Sequence, residues 1–528
     1  MSTDKSKQTT SHRSVARSAG IIGVATLCSR ILGFARDIVI ARLFGTYVYA
    51  QAFVVAFRIP NLFRDFVGEG ASNAALVPVF SEYHLKHTKE EFWELANVVL
   101  NILLVVLSAI TILGIIFSPV LVRLMAPGFM SSPEKLEITI RLNRIIFPFV
   151  LLACLCAYSM GILNSLKHFA APAFAPCLLN IAIIVCAGLF GEGITGLASG
   201  VLIGGVLQLA IQIPVLYKKG FRLRLFQRFR HPAAQTIFRL MIPRAASSCI
   251  YQLNNFVDTI FGSLSWIVGD GGVAVLYFSY RLILFPLGIF STALSQAILP
   301  AFSEHALDTD HDRLKHGLSW GLRTTFFVIL PASAGFIVLA RPIIATLFGG
   351  GKFDAASVQS TAGALLFYSV GLFAYAGTKI LQSCFFALKD TRTPAKAAAL
   401  SLVLNFIFII VLMYPLKIGG IALATSISGI ISFVFLFFVL RKKIGDFGVV
   451  GILTSFFRAM AASACMGGVC FFVVHKNIIP AAGKTGAVLN LCLALGAGIV
   501  SYIIFCFIFR VNEMRDLCIW LSGKKIRV

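Results

Sequence analysis

Residues 29–82 read SRILGFARDIVIARLFGTYVYAQAFVVAFRIPNLFRDFVGEGASNAALVPVFSE. The stretch is as apolar as a membrane span, yet it carries Arg30, Arg36, Asp37, Arg42, Arg58, Arg64, Asp65 and Glu69. One charge near the centre of a bilayer costs about 2.5–3.5 kcal/mol even on the lenient insertion scale. Some of these groups must therefore sit at the interfaces. The deeper ones must face each other, water or a ligand rather than lipid. Arginine outnumbers acid here, so the ligand that the stretch suggests is an anion.

The whole chain has the same character. It is 528 residues long, 58% hydrophobic and 13% charged, about half the charge of a soluble domain. The composition predicts an all-α polytopic membrane protein with no soluble domain. Apolar spans are expected near 19–43, 47–69 with a broken continuation to 83, 95–118, 141–163, 174–190, 194–217, 236–265, 272–302, 320–340, 358–387, 396–414, 418–440, 452–474 and 486–509, fourteen in all. The twelve cysteines lie singly in apolar segments without ligand spacing and read as small core residues. The polar, basic start MSTDKSKQTTSHRSVARS lacks an apolar stretch before a cleavage site and reads as a cytoplasmic tail.

A net charge of +24 raises the question of nucleic acid. Its placement argues for topology instead. Alternate loops are basic (YHLKHTKEE, NSLKHF, YKKGFRLRLFQRFRH, HDRLKH, LKDTRTPAK, RKK), and the intervening set is nearly neutral. This is the positive-inside pattern. It predicts both termini in the cytoplasm, anionic membrane lipids as neighbours and no nucleic-acid partner.

The chain is duplicated. Residues 75–82, ALVPVFSE, match residues 297–304, AILPAFSE, and Pro78 and Pro300 lie 222 positions apart. Pro172 and Pro394 repeat that offset, Asn180 pairs with Asn405, and Lys218-Lys219 with Lys442-Lys443. Arg58 aligns with Arg281 after one small indel. Each copy holds about six helices, an even number, so both copies share one orientation in the membrane. The expected organisation is a tail (1–18), an N-lobe (19–230, helices 1–6), a C-lobe (231–445, helices 7–12), two added helices (446–510) and a C-terminal tail (511–528). Two packed bundles of this kind suit alternating access. The copies differ in chemistry: the second copy's opening pair keeps Arg244, Asp258 and Arg281.

Within the opening stretch, Arg30 and Asp37 lie seven apart on one helical face, and Pro60 interrupts the backbone ladder near Asn61. Irregular backbone at membrane depth is tolerated where it lines protein or water. Two readings compete. In one, internal ion pairs such as Arg36 with Asp65 brace the helices. In the other, Arg36, Arg64 and Arg281 converge on a phosphate, which guanidinium forks suit. Asp258 lies inside the apolar run LNNFVDTIFGS; with Asn405 and Thr425 it could hold Na⁺, carry a proton, or act as a hydrogen-bonded brace. The run Asp308–Asp312 has the look of a metal cluster but reads as a solvated loop. No ATP-binding or hydrolase motif is present, and no cofactor is expected beyond Na⁺ or H⁺ as a coupling ion.

SRILGFARD, AFRIPNLFRDFVGEGA, VPVFSEY, APGF, FAPCLLN, GGVLQL and YRLILFPLG resemble the MurJ (MviN) family of lipid II flippases in the MOP exporter superfamily. The resemblance spans essentially the whole chain. It implies fourteen helices in two six-helix lobes, a cationic cavity for the diphosphate and sugars of the undecaprenyl-linked peptidoglycan precursor, and a groove for the lipid tail along the last two helices. It also implies a non-enzymatic role: transfer of lipid II from the cytoplasmic to the periplasmic leaflet of the inner membrane, alongside the cell-wall synthesis or division machinery. The family's arginines fall on Arg30, Arg36, Arg64 and Arg281, and its acids on Asp37 and Glu69; Arg58 and Asn61 complete the candidate substrate-binding set. This chain departs from the family at Gln51, Tyr280 and Leu284, where many members carry acids, and at Ile409, where a second acid of the cation site could stand. Rival readings are a flippase for another lipid-linked oligosaccharide, a drug exporter, which the basic N-lobe disfavours, a polyprenyl-phosphate enzyme, or a division-site scaffold.

Overall fold

In the computed structural model, backbone is described for residues 2–65, 75–191, 193–225, 228, 230–308, 310–476 and 483–515, with side chains from residue 20 onward except at 194, 242–251 and 483–484. The described chain is helical, and it divides into two compact units, Met1–Leu264 and Ser265–Val528. The first unit comprises α1 (Ser2–Phe44), α2 (Val48–Arg64), α3 (Val77–Lys86), α4 (Lys89–Ile116), α5 (Ser118–Met125), α6 (Pro133–Ile146), α7 (Phe149–Ser165), α8 (Ala170–Leu189), α9 (Ile194–Ala210), α10 (Ile213–Lys219) and α11 (Pro232–Gly262). The second comprises α12 (Ser265–Val268), α13 (Gly272–Pro286), α14 (Ala293–His305), α15 (Asp312–Leu347), α16 (Ala355–Val370), α17 (Leu372–Ala387), α18 (Arg392–Leu416), α19 (Ile418–Ile444), α20 (Val449–Lys476) and α21 (Gly483–Ile508).

Local chemistry sets where these helices begin and end. Thr88 and Glu91 form a reciprocal capping box that starts α4. Pro133 and Pro232 open α6 and α11, where a missing N–H costs nothing. The duplication is visible at the helix ends. Lys167 and Lys389, 222 positions apart, both take left-handed backbone, with φ of 58° each. Behind them His168 N donates to Leu163 O at 2.8 Å and Asp390 N to Phe385 O at 2.9 Å, the same six-to-one closure ending α7 and α17. Gly45 and Gly269 make a second such pair at positive φ, ending α1 and α12.

The helices are inside-out by the standards of a soluble protein. On α18, Val403, Ile407, Ile410, Val411 and Tyr414 are exposed along one face, while Asn405, Ile409 and Met413 are buried on the other. An apolar stripe of this size is stable only against another apolar phase. Among the described residues, ten helices are long and apolar enough to cross a membrane, or eleven if the pair α16–α17, bent by 44°, is one span. The sequence led us to expect fourteen. The difference lies at α1, α2 and α11: α1 carries Arg30, Arg36, Asp37 and Arg42, α2 has only 17 residues, and the α11 side chains at 242–251 lie outside the described residues. The repeat places a boundary near residue 230, whereas the contact boundary falls after Leu264, because α11 packs on α4 and α5.

Candidate functional site

Arg36, Asp37, Arg58, Arg64 and Asp65 of the opening stretch sit in two polar joints within the first unit, with Asn61 as a third feature. The deepest is at Arg36. Its Nη2 and Nε donate to Asp37 Oδ1 at 2.7 and 3.1 Å, and its Nη1 donates to Asn180 Oδ1 at 3.2 Å. The Asn180 amide in turn donates to the carbonyls of Ser29 and Pro176. Both charged groups are buried, at 4% and 1% exposure. A buried guanidinium is tolerated only when paired and hydrogen-bonded, and this arrangement locks α1 onto α8. Arg36 thus forms a brace with its neighbour Asp37, with Asn180 as the third member.

The second joint couples α2 to α11. Arg64 donates to Asp65 Oδ1 at 2.8 and 3.2 Å, and Gln252 donates to Asp65 Oδ2 at 2.8 Å. One turn of sequence logic explains the rest. Gln252, Asn255, Thr259 and Ser263 are spaced three, four and four, a single stripe along α11. Arg58, seven residues before Asp65, donates to Asn255 O at 2.9 Å and to the Thr259 hydroxyl. At the end of the stripe Ser263 Oγ accepts from Gly128 N at 2.9 Å. Gly128 is required there, since a Cβ would come within 1.9 Å of the Ser263 carbonyl oxygen.

The third feature is Asn61, which directly follows Pro60 in the interior of α2. Its Oδ1 is buried and accepts no hydrogen bond among the described residues. Arg64 and Asp65 beside it keep 29% and 21% of their side-chain surface. This end of α2 thus combines a part-exposed arginine with a buried amide oxygen three residues before it. Arg30 is exposed on α1. Glu69 lies outside the described residues.

The remaining candidates divide between the units. Asp258, on α11 of the first unit, is buried, next to Thr259 of the stripe. In the second unit Arg281 on α13 lies over the Tyr277 ring, 5.3 Å from its centroid. Asn405 is buried on α18, and Thr425 on α19, the helix packed against it, donates its hydroxyl to Ile421 O. The positions that depart from the family pattern are absorbed into structure. Gln51 is buried and donates to Thr46 O, closing the α1–α2 turn. Tyr280 packs against Tyr368, with centroids 5.5 Å apart, and Ile409 is fully buried. Asp308, Asp310 and Asp312 are exposed, Lys315 pairs with Asp312, and among the described residues no group of three or more His, Cys, Asp and Glu side chains could hold a metal.

Sequence reading missed Gln252, Asn255, Thr259 and Ser263 as a unit. The signal was present, as polar residues at one helical face of an otherwise apolar run. It was masked by the placement of this helix with the second copy.

With the geometry in place, comparison with known proteins is direct. A family model described as lipid II flippase MurJ matches residues 40–487. A probable lipid II flippase MurJ from Buchnera aphidicola (Acyrthosiphon pisum) is 34% identical over 94% of this chain and 97% of its own length. The lipid II flippase MurJ of Burkholderia cenocepacia is 33% identical over 79% of this chain and 82% of its own. Among solved structures, lipid II flippase MurJ in an inward closed conformation superposes with a TM-score of 0.77 at 28% identity, covering 94% of this chain and 99% of that one. An inward-facing multidrug resistance MATE transporter of the MOP superfamily reaches 0.65 at 18% identity, which shares the fold alone. The chain belongs to the lipid II flippase MurJ family.

Proposed function

We infer that this chain is a lipid II flippase, a transporter rather than an enzyme, seated as a multi-pass protein in the bacterial inner membrane. Its substrate is lipid II, an anionic diphosphate joined to a long polyprenyl chain. The observation that carries this reading is the end of α2. There the part-exposed Arg64 side chain and the buried Asn61 oxygen, which accepts no hydrogen bond among the described residues, stand on an apolar helix next to a buried polar seam.

The residues divide into two roles. Arg64 is assigned to the diphosphate, because guanidinium forks match phosphate oxygens, and Arg281 is a separate candidate for the same chemistry. Asn61 accepts from a sugar hydroxyl or amide of the headgroup. Arg36, Asp37 and Arg58 position α1, α2 and α11, and Arg30 attracts the anion at the helix surface. Transfer proceeds by alternating access from the cytoplasmic to the periplasmic leaflet, with both termini cytoplasmic and the tail in lipid along α20 and α21. Direction comes from the membrane potential or from Na⁺ or H⁺ engaged at Asp258 or at Asn405 and Thr425. The experiment is complementation of cells depleted of their own flippase by Arg64→Glu and Arg281→Glu, read as outer-leaflet lipid II. Loss of outer-leaflet lipid II with intact protein levels supports the roles, and wild-type transfer removes these arginines from the mechanism. Native mass spectrometry of the co-purified lipid separates lipid II from another lipid-linked oligosaccharide.

A further inference from the structure

Between α10 and α11 the chain does not run free over the surface. Residues 221–224 have no regular secondary structure and lie against α4 between Trp93 and Asn101. Two asparagines on an apolar helix, Asn97 and Asn101, hold them there. Asn97 Nδ2 donates to Arg222 O at 3.0 Å, its Oδ1 accepts from Arg224 N at 2.7 Å, and Asn101 Nδ2 donates to Arg224 O at 3.1 Å. Both amides are buried, at 6% and 1% exposure; the strap's backbone pairs with both polar groups of Asn97 and accepts from Asn101 Nδ2, while Asn101 Oδ1 accepts no hydrogen bond among the described residues. Phe221 anchors one end against Trp93, with centroids 5.6 Å apart, and Arg228 pairs with Glu94 at the other.

This pinning fixes what the strap presents. Leu223 and Leu225 are 48% and 47% exposed, and Arg222 and Arg224 are exposed beside them. The Arg222 guanidinium lies over the Tyr217 ring, 5.9 Å from its centroid, and Lys218 and Lys219 adjoin it on α10. Asn97 sits about 12 Å along α4 from its start. Further along the same helix Val105, Val106, Ile112 and Leu113 are exposed. The strap therefore lies where α4 passes from its charged first turn to its lipid-facing length. Alternating leucine and arginine at that depth is the composition of a segment that holds phosphate with its cations and sinks its apolar groups just below. The second copy has nothing comparable. There the chain turns at Gly445 and Gly448, both at positive φ, and carries Asp446 on the way into α20.

We propose that the strap of residues 221–225 is a binding site for the headgroups of anionic phospholipids in the cytoplasmic leaflet, held in register by Asn97 and Asn101. The site is separate from the one that handles lipid II and does not depend on that assignment. Arg222 and Arg224 take the phosphate, and Leu223 and Leu225 enter the acyl region. The charge is complementary: among the described residues, the acid that an ion pair joins to this segment is Glu94, and it is taken up by Arg228.

The test uses the purified full chain in nanodiscs or mixed micelles, with phosphatidylglycerol or phosphatidylcholine as the probe and retained lipid read by native mass spectrometry. Each cation near a membrane surface contributes about a five-fold preference for anionic lipid. Arg222→Gln with Arg224→Gln should lower phosphatidylglycerol retention roughly 25-fold and leave phosphatidylcholine unchanged. Arg392→Gln with Lys442→Gln, which removes the same charge from basic loops of the second unit, should change it less than about two-fold. Asn97→Ala keeps both arginines but frees the strap and should also weaken retention. Equal losses in the two double variants, or wild-type retention in Asn97→Ala or in the strap variant, would overturn the proposal. The arginine variants are at exposed positions, so the test stands even where Asn97→Ala fails to fold.

Discussion

Gln252 donates to Asp65 at 2.8 Å across 187 positions of sequence, joining α11 to the end of α2 while the other oxygen of the same carboxylate holds Arg64. The orientation of Arg64 thus depends on a residue of a different helix. Gln252→Glu places two carboxylates face to face, and one must take up a proton. This variant should be destabilised at pH 8 and regain most of its stability near pH 5, read as a melting temperature in detergent. Gln252→Leu should show no such pH dependence.

Arg36 and Asp37 form a buried pair completed by Asn180. Removing one member leaves an unpaired buried charge, which costs about 3–5 kcal/mol. Asp37→Ala should lower thermal stability by that order. The double variant Arg36→Met with Asp37→Leu should cost less than Asp37→Ala alone, because no charge is left stranded. Equal losses would mean that the pair is not what the two side chains contribute.

Gly128 meets the end of α11 with no room for a methyl group. Gly128→Ala must shift the backbone, a change of about 1–3 kcal/mol. A melting temperature unchanged from wild type would show that the Gly128–Ser263 contact does not bear on the stability of the first unit.

Asp390 lies in the turn before α18, where it accepts from Lys443 at 2.7 Å and from Thr393 N and Oγ1. These contacts, with Lys443 first, hold its carboxyl well below the usual carboxylate range. A depressed folded-state pKa contributes stability that is present above about pH 4 and is lost as pH falls further. The pair is partly exposed, so its contribution is no more than about 1 kcal/mol. Asp390→Asn should lower the melting temperature slightly at pH 7, by an amount that shrinks as the pH falls below about 4. His168, at the corresponding place in the first copy, is held below its ordinary value by burial and then by Lys219.

Much of this architecture was legible in the sequence, because helices in lipid need only apolar length and because the duplication left paired landmarks. The offset of 222 read from Pro78 and Pro300 returns in the backbone at Lys167 and Lys389. The partners of the arginines were less legible. Adjacent residues on a helix point about 100° apart, so Arg64–Asp65 and Arg36–Asp37 do not look like pairs until the long guanidinium arm folds back. The strap was read only as a basic loop, because hydrogen bonds from Asn97 and Asn101 to backbone carry no side-chain signature in the partner segment.

The central claim is that arginines on apolar helices carry the diphosphate of lipid II. The most direct measurement is outer-leaflet lipid II in flippase-depleted cells complemented by Arg64→Glu, with Asp65→Arg added in a second strain to restore the local pair. The account predicts loss of transfer in the single variant and no recovery in the double, since the pair would be rebuilt but the guanidinium of residue 64 would not. Wild-type transfer in the single variant, or full recovery in the double, would contradict it.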